Sequence, residues 1–329
     1  MNGRVTVRRI VAALGVAALL AAAAGCGSTE LPTSRQAAGP PRPAGVQDPA
    51  KVPAAPGDDT SCGDPLASYR PGSLPSPGHM PAGSTMERIR KRGRLVVGVD
   101  QNTYLFGFRD PATNKIQGFD VDMLREVSRA IFGDPDRIQY KTITSAQRIP
   151  VLQKHDVDLV ADVMTINCER WKDVAFSTDY FDAGQRVLVL KDSTATKLGD
   201  LGGRKVCAAK GSTSIRAIAA DPAKPVPVAV DDWTDCLVML QQRQVAAIST
   251  DNAILAGLAK QDPNTKVVGP RFTSEPYGIA ANSADTDLVR FVNGVLAKIR
   301  GDGTWKSIYD RWLTVLGPAP SPPAARYRD

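Results

Sequence analysis

From residue 95 to residue 257 the chain repeats one local plan: a short apolar run, a turn of small or polar residues, then an amphipathic stretch. LVVGVD (95–100) is an apolar run with a β-branched core, ended by an acid, and predicts a buried strand. FDVDMLREVSRAIFG (119–133) follows, with Met123, Leu124, Val127, Ala130 and Ile131 on one helical face and Gly133 as the stop. VDLVADVM (157–164) and QRVLVLK (185–191) predict two more strands. RKVCAAKGSTS (204–214) and VAAISTDNAILAG (245–257) each read as strand, turn and helix start. Leu288, Phe291, Val292, Val295, Leu296 and Ile299 form a late helical stripe, with Asp285 as N-cap and Gly301 past the end. Repeated βαβ units imply α/β domains with mainly parallel sheets.

The ends of the chain obey a different rule. Arg4, Arg8 and Arg9 precede an apolar stretch, Ile10 to Ala24, that falls short of the ~20 residues a membrane span needs. A basic start, a short apolar run and small residues before a break describe an export signal over 1–25. In LLAAAAGCGS (19–28) the small-small-Gly-Cys ending points to a lipoprotein signal, with Cys26 as the lipidated first residue; a plain secretory signal with an incidental cysteine is the alternative. Removing 1–25 takes away three arginines and no acids, so the net charge of +7 becomes +4. The basic balance is thus partly an export signature, and nucleic-acid binding finds little support. Twelve of the 25 prolines fall between Pro32 and Pro81, so residues 26–85 read as an extended tether unable to form a core. A shorter Pro-rich tail occupies 318–329.

Four cysteines remain after Cys26: Cys62, Cys168, Cys207 and Cys236. Outside the cytoplasm an even count predicts disulfides, and four cysteines allow three pairings. Only two histidines occur, His79 and His155, and no C-x-x-C, so no metal site and no cofactor are expected.

Three turns carry the chemistry. MTINCERWKDVAFS (164–177) sets Thr165 and Arg170 at the carboxyl end of a strand, where open α/β sheets bind ligands. Its guanidinium could grip a carboxylate bidentately, or serve as a surface ion-pair partner. STDNA (249–253) sets Asp251 at another strand end, able to hold an ammonium group or merely to cap a helix. KGSTS (210–214) offers Ser212, Thr213 and helix-start N–H groups to an anionic or amide group, or again a cap.

The order of these signals is more specific than any one of them. Gly-Phe-Asp-Val-Asp (118–122) opens the first long helix; Thr165, Glu169 and Arg170, then AFS (175–177), the Ser/Thr turn and the late acidic turn follow. This pattern resembles family 3 solute-binding proteins, the extracytoplasmic receptors of polar amino-acid ABC importers, over about residues 86–316, and looks closest to actinobacterial glutamine/glutamate-binding lipoproteins. The resemblance implies an α/β, two-lobed periplasmic-binding-protein-like fold of type II with two crossover strands as hinge. Lobe 1 would comprise 86–188 and 277–317, and lobe 2 residues 189–276. It implies no enzyme. Arg170 would bind the ligand α-carboxylate, Thr165 the carboxylate or ammonium, and Asp251 the α-ammonium, with Ser212 and Thr213 fixing the ligand from lobe 2. On this lobe assignment a bridge between Cys207 and Cys236 within lobe 2 is the expectation, and Cys62 would then pair with Cys168.

Some positions depart from the glutamine-binding pattern. The aromatic after the first strand falls at Thr103, with Tyr104 and Phe106 adjacent; the second aromatic is replaced by Ser145, and a lysine before the Ser/Thr turn by Ala209. QRIPVLQ (147–153) is similar to the glutamate/aspartate-binding segment whose arginine meets the side-chain carboxylate, which makes Arg148 the reader of an acidic side chain unless it is a solvated helix charge. Asp162 would repel such a ligand unless paired with Arg148. The expected partners are a free amino acid, an ABC permease or a membrane sensor protein, and the membrane through a lipid anchor, for a monomer on the extracytoplasmic face of the cell membrane. An exported enzyme on the same fold would need positioned acid–base groups, and neither histidine falls in the expected cleft.

Overall fold

Leu95, Val97 and Val99 are fully buried, and their strand, Leu95–Val99, pairs in parallel with Ile138–Thr142 on one side and Leu159–Val160 on the other. The computed structural model describes residues 39–53 and 59–329. The export signal, Cys26 and the lipidation expected there lie outside the described residues. The first sheet continues through Ala280–Asn282 to Val174–Phe176, both pairings antiparallel. A second sheet repeats the scheme. Val226–Val230, Lys205–Ala209 and Ala247–Asp251 run parallel, and Gln185–Leu190 lies antiparallel between Ala247–Asp251 and Thr265–Val268.

Each sheet therefore receives one strand from chain arriving out of the other lobe. The two connecting stretches, Phe181–Ala183 and Glu275–Tyr277, pair antiparallel with each other. This is the two-lobed α/β fold of type II. The sheets are mixed rather than mainly parallel, because the arriving strand makes both of its pairings antiparallel. The strand entering the second sheet begins at Gln185, ahead of the boundary expected at residue 189.

The helices follow their apolar faces. Phe119–Phe132 buries Met123, Leu124, Val127 and Ile131, and ends at Gly133, whose left-handed φ of 78° brings its N–H to the Arg129 carbonyl at 2.8 Å. At its start, Gly118 has φ 137°, and a Cβ there would lie 2.1 Å from the Phe106 carbonyl oxygen, so only glycine fits. Thr286–Gly301 buries all six residues of the late stripe, each contributing ~1.5–3 kcal/mol relative to exposure. Asp285 holds the cap position without a cap bond, its carboxylate serving Thr85 and Arg88, and Gly301 is the last helical residue rather than beyond it.

The strand expected over 157–164 stops at Val160. Val163 has φ 41°, a strained value for a β-branched residue, and its N–H is held by the Asp120 carboxylate at 2.8 Å. The chain thus turns out of the ladder at Asp162.

The Pro-rich stretch is docked, not extended, over residues 42–53 and 59–81. Gln47 and Ala229 exchange both backbone hydrogen bonds, and Ala50 donates to Pro227, so residues 47–50 extend the edge of the lobe 2 sheet. Asp48, paired with Lys205 at 2.7 Å and with Arg42 at 3.0 Å, secures them. Further on, Cys62 is bonded to Cys168, and Ala67–Ser68 pairs in parallel with Arg326–Tyr327 of the tail. Arg328 stacks over Trp171 at 4.0 Å. Composition predicts a free tether because such a segment has no core of its own; here it borrows the core of the body. The second disulfide joins Cys207 to Cys236 inside lobe 2, so both pairings follow the expectation. Its 29-residue separation is worth ~3–4 kcal/mol in the chain-entropy account.

Candidate functional site

The carboxyl ends of Leu159–Val160 and Ala247–Asp251 lead into one cleft, as in the ligand sites of open α/β sheets. Lobe 1 brings the turn after Leu159–Val160, with Asp162 and Thr165, and two short helices, Arg148–Gln153 and Cys168–Trp171. Lobe 2 brings the turn before Thr213–Ala220 and the end of Ala247–Asp251.

Arg170 is 7% exposed and makes no ion pair among the described residues. It donates Nη1 to the Thr165 carbonyl at 2.7 Å and Nη2 to the Gly211 carbonyl at 3.2 Å. Its short helix is fixed by Asn167, whose side chain accepts from the Arg170 N–H at 2.9 Å. Arg148 is 3% exposed and donates Nε to Ser145, Nη1 to Asp162 and Nη2 to Gly211, all backbone carbonyls, at 2.9, 2.9 and 3.4 Å. Neither arginine is a surface charge. Two guanidiniums of lobe 1 thus converge on one carbonyl of lobe 2. Gly211, at φ 71°, permits this approach, since a Cβ would lie 2.8 Å from the Ala146 Cα. Beside it, Glu169 of lobe 1 pairs with Arg216 of lobe 2.

The acids are less well satisfied. Asp251 stands at the N-cap of Asn252–Gln261 but makes no cap bond. Its Oδ2 accepts from the Tyr277 hydroxyl at 2.7 Å, and its Oδ1 is buried without a partner. Burial, and then the Glu275 charge, push its carboxyl up to about 8. Both oxygens of Asp162 are buried without partners, so the expected pairing with Arg148 is made through the Asp162 carbonyl and not its carboxyl. Burial and the neighbouring Arg148 charge bring the Arg170 guanidinium down to about 9, with Glu275 opposing.

Thr165 and Thr213, from opposite lobes, both donate to Glu275 Oε2, at 2.6 and 2.8 Å. Ser212 behaves as a plain helix cap, accepting from the Ile215 N–H at 3.2 Å and donating to Ala209. Arg148, Thr165, Ser212, Thr213 and Asp251 line a residual cavity of about 10 Å³, the room of roughly one water. Tyr104 is not among its lining residues; its ring packs edge-on against Phe108 at 4.8 Å. Phe106 is the fully buried aromatic of that loop, packed on Phe119, Phe181 and Tyr277.

Sequence reasoning passed over Glu275, Tyr277, Asp100 and Asp120. An acid inside the otherwise apolar EPYGIA (275–280) was a usable signal for the first pair, and the acid ending LVVGVD for Asp100. Asp100 and Asp120 are buried under the lobe 1 side of the cleft, and burial pushes each up to about 6. The whole offers buried donors to an anion from Arg170 and an unpartnered acceptor to a cation at Asp251.

Residues 95–315 match the model of the bacterial extracellular solute-binding proteins, family 3. The ABC transporter glutamine-binding protein GlnH of Bacillus subtilis strain 168 is 39% identical over 230 residues, covering 70% of this chain and 84% of the relative. A glutamate/aspartate import solute-binding protein of Salmonella typhimurium is 28% identical over 243 residues, covering 70% of this chain and 80% of the relative. Among solved structures, a solute receptor for L-cysteine of Neisseria gonorrhoeae aligns with a TM-score of 0.68 at 27% identity, covering 71% of this chain and 96% of that one. With two thirds of its length matched and its lobes joined by two crossing strands, the chain belongs to the family 3 bacterial extracellular solute-binding proteins.

Proposed function

We propose that this protein captures a free polar amino acid, glutamate or aspartate or their amides, between its two lobes and delivers it to an ABC permease. It would do so on the extracytoplasmic face of the cell membrane, as a monomer anchored by lipid at Cys26. One observation carries the reading: Arg170, a cation, and Asp251, an acid that ionises when a cation meets it, are buried on opposite lobes, and neither makes an ion pair among the described residues. A zwitterion needs such a pair, because a buried ligand charge without a counter-charge is costly.

In this reading Arg170 exchanges the Gly211 carbonyl for the ligand α-carboxylate. Asp251 takes the α-ammonium on Oδ1, and its proton leaves as that ion pair forms. Thr165 and Thr213 turn their hydroxyls from Glu275 to the ligand, while Arg148 stands at the side-chain end. The lobes part to admit the amino acid and close over it, and no bond is made or broken. His155 is solvent-exposed beside Asp285 and takes no part. Calorimetric titration of the soluble body with glutamate, aspartate, glutamine and asparagine tests this. One-to-one saturable binding of at least one of the four is expected; heat-free titrations at millimolar concentration of all four would sink the reading.

A further inference from the structure

We infer that Asp162 selects the ligand side chain: protonated, its carboxyl donates a hydrogen bond to a ligand carboxylate beside Arg148, and ionised, it accepts one from a ligand amide. The inference deepens the function proposed above and rests on it. Asp162 lies where the chain leaves the lobe 1 ladder, is 2% exposed, and has no hydrogen-bond partner on either carboxyl oxygen among the described residues. Buried polar atoms are nearly always paired, so two orphans on one side chain point to a partner that arrives from outside. Arg148 does not serve as that partner. Its nitrogens go to the carbonyls of Ser145, Asp162, Val163 and Gly211. Arg148 and Val163 line the residual cavity, and Asp162 directly precedes Val163 and accepts from Arg148 through its carbonyl.

The groups facing Asp162 come from every element around it: Arg148, Asp100, Asp120, Arg170 and Tyr180. Asp120 is satisfied by the Tyr180 hydroxyl at 2.6 Å and the Val163 N–H at 2.8 Å. Asp100 is satisfied by the Gln101 and Asn102 N–H groups and the Thr103 hydroxyl. Of the three acids only Asp162 lacks a donor. Burial holds its proton well above the usual carboxylate range; Arg148 opposes this, and Asp100 and Asp120 reinforce it.

Two carboxylates cannot share this space, but a carboxylate and a carboxyl can, with one proton between them. An acidic ligand therefore binds with Asp162 protonated. An amide offers both an N–H donor and a carbonyl acceptor, and fits either form. The ratio Kd(glutamate)/Kd(glutamine) should then be flat at low pH and rise about tenfold per pH unit above the titration of Asp162. Asp251 titrates too, but it meets the α-ammonium of both ligands alike and cancels in the ratio.

Calorimetric titrations of wild type and Asp162→Asn with both amino acids, from pH 5 to pH 9, read this ratio. The wild-type ratio should climb, and the Asp162→Asn ratio should stay level, since an amide carries no titrating proton. If that variant does not melt cooperatively, Asp162→Ser takes its place with the same expectation. A level wild-type ratio overturns the inference, as does a slope that survives in the variant, which would belong to Asp100 or Asp120. Wild type binding neither glutamate nor glutamine, yet binding aspartate or asparagine, would overturn this inference alone; wild type binding none of the four would overturn the functional reading and this inference with it.

Discussion

Lobe 1 and lobe 2 are built on the same strand order, yet lobe 1 buries Arg148, Arg170, Asp100, Asp120 and Asp162 at its cleft face, whereas lobe 2 brings Asp251 and the hydroxyls of Ser212 and Thr213. Burying charges in advance is unfavourable for the protein, and it is tolerated where the arrangement serves recognition. Lobe 1 carries most of that cost. Its arginines are already oriented by backbone carbonyls, while lobe 2 approaches with a glycine carbonyl and a capped helix start. On the proposed function, this difference would make lobe 1 the reader of the ligand and lobe 2 the cover, with Asp251 the exception that would make closure depend on the ammonium.

The strongest test of that contrast is Arg170→Ala. Leaving the ligand carboxylate buried without a counter-charge costs roughly 3–5 kcal/mol, so affinity for every bound amino acid should fall by two to four decades. Unchanged affinity would remove lobe 1 from its role as reader.

Asp251→Asn asks the same of lobe 2, and separates binding from stability. The Asp251 carboxyl is raised to about 8 in the folded protein, against an ordinary value of 3.8. Its contribution to stability is therefore complete below about pH 4 and is lost as pH rises toward 8 and beyond. The ligand-free variant should melt several degrees above wild type at pH 8, at about 2–4 °C per kcal/mol, and match it near pH 4. Its affinity should fall by at least a hundredfold, on the order of 3 kcal/mol. A variant that binds normally, or that gains no stability at pH 8, would show Asp251 to be ordinary.

The smallest effect should come from Glu169→Gln, which breaks the pair with Arg216 across the cleft mouth. Both side chains are about a third exposed, so the pair is worth at most ~1 kcal/mol, a loss of up to about fivefold in affinity that shrinks with added salt. A loss as large as that of Arg170→Ala would mean that closure, and not recognition by lobe 1, dominates binding.

The strand–helix alternation was legible because burial writes itself into period: Leu95, Val97 and Val99, or Leu288, Val292 and Val295, announce their faces. The break after Val160 was not, since VDLVADVM reads as a continuous apolar run and nothing in it reports the Asp120 contact that turns Val163. At the cleft, residue types and their order were readable, but burial was not. Arg148 and Arg170 could equally have been surface charges, and Asp251 a cap; only the fold buries the first two and denies the third its cap bond. Glu275 and Tyr277 escaped because the groups that tie them to the cleft, Thr165, Thr213 and Asp251, come from other stretches of the chain. The docking of residues 42–53 and 59–81 escaped for a related reason: it rests on edge-strand hydrogen bonds and one disulfide, which composition does not record.

That docking ties the two lobes to one piece of chain. Residues 47–50 belong to the lobe 2 sheet, and Cys62 is covalently part of lobe 1. Pro53 and Asp59, the described residues on either side of the crossing, are joined by six residue steps, which reach roughly 20 Å at full extension. In the proposed capture of an amino acid, an intact Gln47–Ala229 ladder would set a ceiling on how far the lobes part, and would leave the closed state unaffected. A limit of this kind removes entropy from the open ensemble alone, as a cross-link removes it from an unfolded chain. On that reading the opening equilibrium would be tilted toward closure from a point on the surface, outside the cleft.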